Sequence, residues 1–202
     1  MQLGFFTKKR ILSTHIFAVA FILLITFTTD SWDPNSPTDL IIEWSGYIFL
    51  IIATLGRLWC SIYIGGYKNN KIINEGPYSI VRNPLYLFSF FGIIGLGLAA
   101  ENLLVLFLAI LWFIIYYPSV VYKEEKDLEA KFGQEFIDYK NKTPRWFPRF
   151  SNYKEPGRYL VKPKYIRKAM FDSMWFIWLF MLLRIIEVLQ DLHFVPVILR
   201  IP

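Results

Sequence analysis

Apolar residues along this chain gather into blocks too long for the alternation of a strand and too continuous for the single stripe of a surface helix. The first block runs from Ile11 to Thr28, with His15 as its only readily ionisable side chain, and gives way to turn formers between Asp30 and Pro34. The second covers Leu40 to Cys60, the third Pro84 to Ala100, and the fourth Leu103 to Tyr122. Each approaches the roughly 20 residues that cross about 30 Å of hydrocarbon, so each is predicted to be a transmembrane helix. Only Glu101 and Asn102 separate the third block from the fourth, a connection short enough to force an antiparallel hairpin. A last block, Phe171 to Ile198, is interrupted by Arg184, Glu187 and Asp191 and carries Pro196 near its end. It is predicted to span, to tilt or to lie partly in the interface, with Arg184 and Glu187 pairing on one helix face. The pattern therefore predicts an all-α integral membrane protein, a single domain over residues 1–202 with about five transmembrane helices.

Charge orients the bundle, because basic loops stay in the cytoplasm. Lys8, Lys9 and Arg10 precede the first block, whereas the connection from Thr29 to Asp39 holds Asp30, Asp33 and Asp39 and no basic residue. Arg57, Lys68, Lys71 and Arg82 flank the next connection, the Glu101–Asn102 turn has no basic residue, and Lys123 to Lys168 is dense in both signs. These alternate as inside, outside and inside, which puts the N-terminus and residues 123–168 in the cytoplasm. A basic start before an apolar block also suits a signal peptide. The block exceeds the usual length of such a core, however, and no small-residue cleavage pattern follows it, so it is expected to remain as an uncleaved first helix.

Composition agrees: 55% hydrophobic and 19% aromatic residues exceed what a soluble domain can cover. The net charge of +6 follows from topology and from attraction to anionic headgroups, so no nucleic-acid partner is predicted. One cysteine, Cys60, and two histidines, His15 and His193, exclude an intrachain disulfide and argue against a metal centre. The compact chain with short loops suggests a bacterial inner membrane.

Function is expected on the two cytoplasmic pieces, Ser61 to Asn83 and Lys123 to Lys168. The first is a run of turn formers, Gly65-Gly66 and then Glu75-Gly76-Pro77-Tyr78, leading directly into the third helix. The second begins as a helix continuing out of the membrane, with an interruption near Gly133 and an end at Thr143-Pro144, where proline disfavours helical geometry in the residue before it. Trp146-Phe147-Pro148 then suits an interfacial anchor.

The string Gly76-Pro77-Tyr78-Ser79-Ile80-Val81-Arg82-Asn83-Pro84-Leu85-Tyr86 resembles the G-P-Y-x-x-V-R-H-P-x-Y signature of the isoprenylcysteine carboxyl methyltransferase and phospholipid methyltransferase superfamily. Glu124-Glu125, Leu128, Phe132-Gly133, Phe136, Tyr139 and Pro144-Arg145 match its second half, so the likeness covers roughly Gly56 to Pro148. The resemblance implies a methyltransferase that uses S-adenosyl-L-methionine in a cytoplasmic pocket, without a Rossmann glycine motif, on a lipid-like acceptor arriving from the bilayer. Carried over by position, Tyr78, Arg82, Asn83, Pro84, Leu85 and Tyr86 form one wall of the cofactor site, and Glu124 and Glu125 the other. Arg82, Asn83, Glu125 and Arg145 are the residues nominated for catalysis.

Those side chains suit the ligand's charges. A glutamate can bind its ammonium, Arg82 its carboxylate by a two-pronged contact, and Tyr78 or Tyr86 its sulfonium or adenine face. Arg145 suits an acceptor carboxylate or a headgroup phosphate. Position 83 departs from the family, since asparagine stands where histidine is usual and can carry neither a proton nor a charge. Taken one at a time, these features have plainer readings: an aromatic belt for the tyrosines, a solvated helix face for Glu124-Glu125, a first-turn proline for Pro84. Their joint occurrence in the family's order favours methyl transfer over two alternatives, a related membrane reductase or isomerase and a non-catalytic lipid-binding protein.

Overall fold

The computed structural model describes residues 16, 19–29, 36–67 and 70–200. Lys8 to Arg10, His15 and much of the first apolar block lie outside the described residues; residues 19–27 are helical and form α1. Four long helices follow: α2 (Pro37–Ile64), α4 (Pro84–Ala99), α5 (Leu103–Phe132) and α7 (Pro163–Asp191). Between them lie the single turn α3 (Pro77–Ile80) and the short α6 (Gln134–Lys142). Three of these, α2, α5 and α7, are long and apolar enough to cross a membrane, while α4 is apolar but has 16 residues, about 24 Å of helix. The protein is an all-α integral membrane protein.

Local chemistry sets the boundaries. α2 begins before the apolar block does, because Ser36 accepts a hydrogen bond from the Asp39 amide at 3.1 Å and Pro37 occupies the first helical position. The Asn102 side chain caps α5 by accepting from the Val105 amide at 3.0 Å. α5 then runs unbroken past Tyr122 to Phe132 and stops at Gly133, whose φ of +54° disfavours a side chain. The final block differs most from expectation. Its helix is Pro163–Asp191, not Phe171 to Ile198, because Pro163 starts it early and the chain turns at His193, where φ is +59°.

Outward faces explain the composition. Ile41, Trp44, Ile48, Ile51 and Leu55 recur at helical spacing along α2, each more than half exposed. Such a stripe needs hydrocarbon beside it. Inside the bundle, α4 packs mainly on α2 and then on α5, and α7 leans on α2. The α2–α4 approach is close: a Cβ on Gly46 would stand 2.7 Å from the Ala99 amide nitrogen.

The helices alternate in direction, which sorts the connections into two ends. At one end Asn102 donates to the Thr28 hydroxyl at 2.9 Å, and Gln190 donates to the carbonyls of Thr26 and Thr28. There the strands β1 (Thr28–Thr29) and β2 (Leu199–Arg200) pair in parallel, so α7 crosses once and residues 192–200 stay at this end. The other end gathers residues 65–67, 70–83 and 133–162, which fall within the two pieces nominated for function, 61–83 and 123–168.

Candidate functional site

The Gly76–Tyr86 string is pinned in place by backbone geometry. Gly76 has a φ of +56°, and a Cβ there would meet the Tyr63 ring at 2.3 Å, so both conformation and contact require glycine. A strap from Thr143 to Lys154 runs beside the string. The Arg82 amide donates to the Pro144 carbonyl at 2.9 Å, the Arg149 amide to Ile80 at 2.9 Å, and the Gly76 amide to Lys154 at 2.7 Å. Ser79 closes this edge by donating to the Gly76 carbonyl and accepting from the Lys154 amide. From α6 the Tyr139 hydroxyl donates to the Tyr78 carbonyl at 2.7 Å.

At the centre stands Glu125, buried at 5% exposure on α5. Arg145 grips its Oε2 with two nitrogens, Nη2 at 2.6 Å and Nε at 3.0 Å. Arg82 approaches Oε1 with Nε at 3.1 Å, and Asn83 donates to the same oxygen at 3.1 Å. Asn83 precedes α4 but makes no side-chain cap; its amide turns to Glu125 instead. Arg82 also donates through Nη1 to the Lys140 carbonyl at 2.7 Å. Two guanidinium groups around one carboxylate leave the cluster with a positive excess. Burial of such a group is tolerated because every oxygen of the carboxylate has a partner.

The four residues nominated for catalysis, Arg82, Asn83, Glu125 and Arg145, thus converge. The rest of the nominated set spreads around them. Pro84 is buried at the start of α4, where its missing N–H costs nothing. Tyr78 is buried against Cys60, Tyr63 and Ile73, and Leu85 packs on the same group. Desolvation pushes the Tyr78 hydroxyl well above its usual pKa, and that buried hydroxyl has no hydrogen-bond partner. Tyr86 stands edge-on to Tyr117 of α5 with ring centres 5.4 Å apart. Glu124 is half-buried beside Glu125.

Two clefts open at this end. One of about 590 Å³ is lined by Ser79, Asp138, Tyr139, Lys142, Arg149 and Asn152 among others, and one of about 230 Å³ by Arg82, Lys140, Lys142 and Arg149 among others. Only the smaller touches a nominated residue, Arg82. The expected pocket between the Tyr78–Tyr86 string and the glutamate pair is not what either cleft encloses. Sequence reasoning also missed the tie from Arg82 to the Lys140 carbonyl, since a backbone acceptor leaves no mark in residue type.

Residues 42–135 match the family described as phospholipid methyltransferase. The cobalt-zinc-cadmium resistance protein CzcN of Cupriavidus metallidurans is 34% identical over 93% of this chain and 86% of its own length. The nickel-cobalt-cadmium resistance protein NccN of Alcaligenes xylosoxydans xylosoxydans is 33% identical over 98% of this chain and 92% of its own length. The chain belongs to the phospholipid methyltransferase family, within the superfamily that the Gly76–Tyr86 string resembles. No solved structure gives a significant match.

Proposed function

We propose that the protein transfers a methyl group from S-adenosyl-L-methionine to a lipid-like acceptor held in the membrane. The observation that carries this reading is the buried Glu125, which joins the Arg82-Asn83 string of the family signature to Arg145 of the strap. When bound, the cofactor supplies an electrophilic methyl on a sulfonium. The groups at this end suit it: the Arg82 and Arg145 guanidinium groups outnumber the one carboxylate they share, which leaves positive charge for the cofactor's carboxylate, and Glu124 carries a half-buried carboxylate of the kind that suits an ammonium. Tyr86, edge-on to Tyr117, brings an aromatic ring of the kind that suits a cation. Glu125 orients both arginines and holds Asn83, so its first task is positioning. Methyl displacement needs alignment and exclusion of water more than proton transfer, and a prearranged cluster of side chains serves the alignment. A carboxylate acceptor needs no base, whereas an amine must first lose a proton.

In this reading the end rich in basic connections faces the cytoplasm of a bacterial inner membrane, which the distribution of Lys and Arg supports. The names of the two relatives support a setting in heavy-metal resistance.

A second reading, a non-catalytic lipid-binding protein, draws support from the full engagement of Glu125 by two arginines. Calorimetric titration of the detergent-purified protein with S-adenosyl-L-methionine separates the two. Saturable binding that is lost in Arg82→Ala and weakened in Glu125→Ala supports the transferase; no binding by folded protein in the presence of lipid selects the second reading.

A further inference from the structure

Arg57 lies on α2 seven residues before Ile64, so about 10 Å inside the bundle from the end that carries Glu125. Its Nη1 donates to the Ser89 hydroxyl at 2.6 Å, and Ser89 donates onward to the Leu85 carbonyl at 2.7 Å. Its guanidinium carbon stands 5.7 Å from the centre of the Phe176 ring on α7. Among the described residues it has no ion-pair partner, and its buried Nε has no hydrogen-bond partner. Tyr78 and Tyr117 lie within its electrostatic reach, as do Cys60 and Asp172.

Three buried hydroxyls on neighbouring turns are also without partners: Thr54, one turn earlier on α2; Ser173, one turn before Phe176 on α7; and Tyr78 of α3. An ionised group at membrane depth is costly unless paired, and those that persist pair with each other or mark a ligand's path. The other deep arginine of the described residues shows the contrast, for Arg184 is paired with both Glu43 and Glu187. Ser89 lies six residues along α4 from Asn83, about 9 Å, so Arg57 sits beneath the Glu125 cluster and not within it.

We propose that Arg57, held by Ser89 and accompanied by Tyr78, Thr54 and Ser173, is an anion subsite that receives the carboxylate or phosphate of a lipid-like molecule inside the bundle. This deepens the methyltransferase reading, and rests on it only in making that molecule the methyl acceptor. The unpaired cation supplies charge, and the unpartnered hydroxyls supply hydrogen bonds, to oxygens that no protein group replaces. Its depth matches a headgroup drawn in from the bilayer below the cofactor site.

The test is calorimetry on the detergent-purified full chain with dodecanoate, dodecyl phosphate and dodecanol as probes. The wild type is expected to bind at least one anion about tenfold or more tighter than the alcohol, as a charge-assisted contact requires. Which anion it prefers tells carboxylate from phosphate. Arg57→Gln is expected to abolish the preference, and Ser89→Ala, which keeps the charge and loosens its orientation, to reduce it. No anion preference in the wild type overturns the proposal whatever the variants do, and so does a preference that survives in Arg57→Gln eluting as folded protein. Anion preference without S-adenosyl-L-methionine binding on the same sample removes the methyltransferase reading and leaves the subsite standing.

Discussion

Arg145 holds Glu125 with two nitrogens on a single carboxylate oxygen, at 2.6 and 3.0 Å, and so ties the strap after α6 to the wall of α5. The partners differ in environment: the Glu125 side chain is 6% exposed and that of Arg145 36%. Removing Glu125 therefore strands the buried Arg82 as well as Arg145, whereas removing Arg145 leaves Glu125 still paired with Arg82.

Glu125→Gln keeps the shape and deletes the charge that neutralises Arg82 and Arg145. Breaking a buried pair this way costs about 3–5 kcal/mol, and the lower part of that range applies here because Arg145 can rehydrate. Thermal unfolding in detergent should show a clear drop for Glu125→Gln and a smaller one for Arg145→Lys, which loses the fork and keeps the charge. Equal midpoints for Glu125→Gln and wild type would mean that the cluster contributes nothing to stability.

Gly76 and Gly133 share a positive φ but not their surroundings. Alanine at either position is strained by about 1–3 kcal/mol. At Gly76 the new methyl would also strike the Tyr63 ring at 2.3 Å, whereas nothing lies within 4 Å of a Cβ at Gly133. Gly76→Ala should therefore lose more stability in a denaturant or thermal titration than Gly133→Ala. The reverse order would contradict the packing of Tyr63 under the string.

Tyr78 and Tyr139 respond together to alkali. Burial raises both hydroxyls above the ordinary value of 10.0, so the folded state keeps protons that the unfolded chain releases. The stability they contribute is complete below pH 10.0 and falls as pH rises from there through the folded values. Tyrosinate absorbance should show Tyr78 and Tyr139 among the residues that titrate only with loss of helicity. Phe substitution at Tyr139, which donates to the Tyr78 carbonyl, should remove one of them.

How much of this was legible beforehand varies with the range of the interaction. The hydrophobic blocks located α2, α4 and α5, since burial in hydrocarbon needs only local composition. Their ends were less visible: Ser36 capping α2 and the left-handed turn at His193 are set by side-chain and backbone geometry that hydropathy ignores. The family likeness nominated Arg82, Asn83, Glu125 and Arg145, and the structure brings these four side chains together around one carboxylate. It could not show that Glu125 faces those three groups while Glu124 stays half-buried, because adjacent helical positions point about 100° apart and only packing decides which is inside. Arg57 looked like one more basic residue of a cytoplasmic connection. Its lack of an ion-pair partner among the described residues emerges only when α2, α4 and α7 are brought together.

Asn83→His tests whether position 83 meets the cofactor. The asparagine donates to Glu125 and cannot titrate, so the wild-type site has no reason to change its affinity near neutrality. A histidine at this place keeps a donor for Glu125 and gains a proton as pH falls through its ordinary range, about 6.5. That proton adds a positive charge beside a ligand whose sulfonium is already positive. Affinity for S-adenosyl-L-methionine should then fall with acidification in the variant, by up to about tenfold for a charge several ångströms away in a partly dry site. The wild type should stay flat over the same range. Parallel calorimetric titrations across pH decide it: a slope confined to Asn83→His puts position 83 at the cofactor, and two flat profiles put it outside.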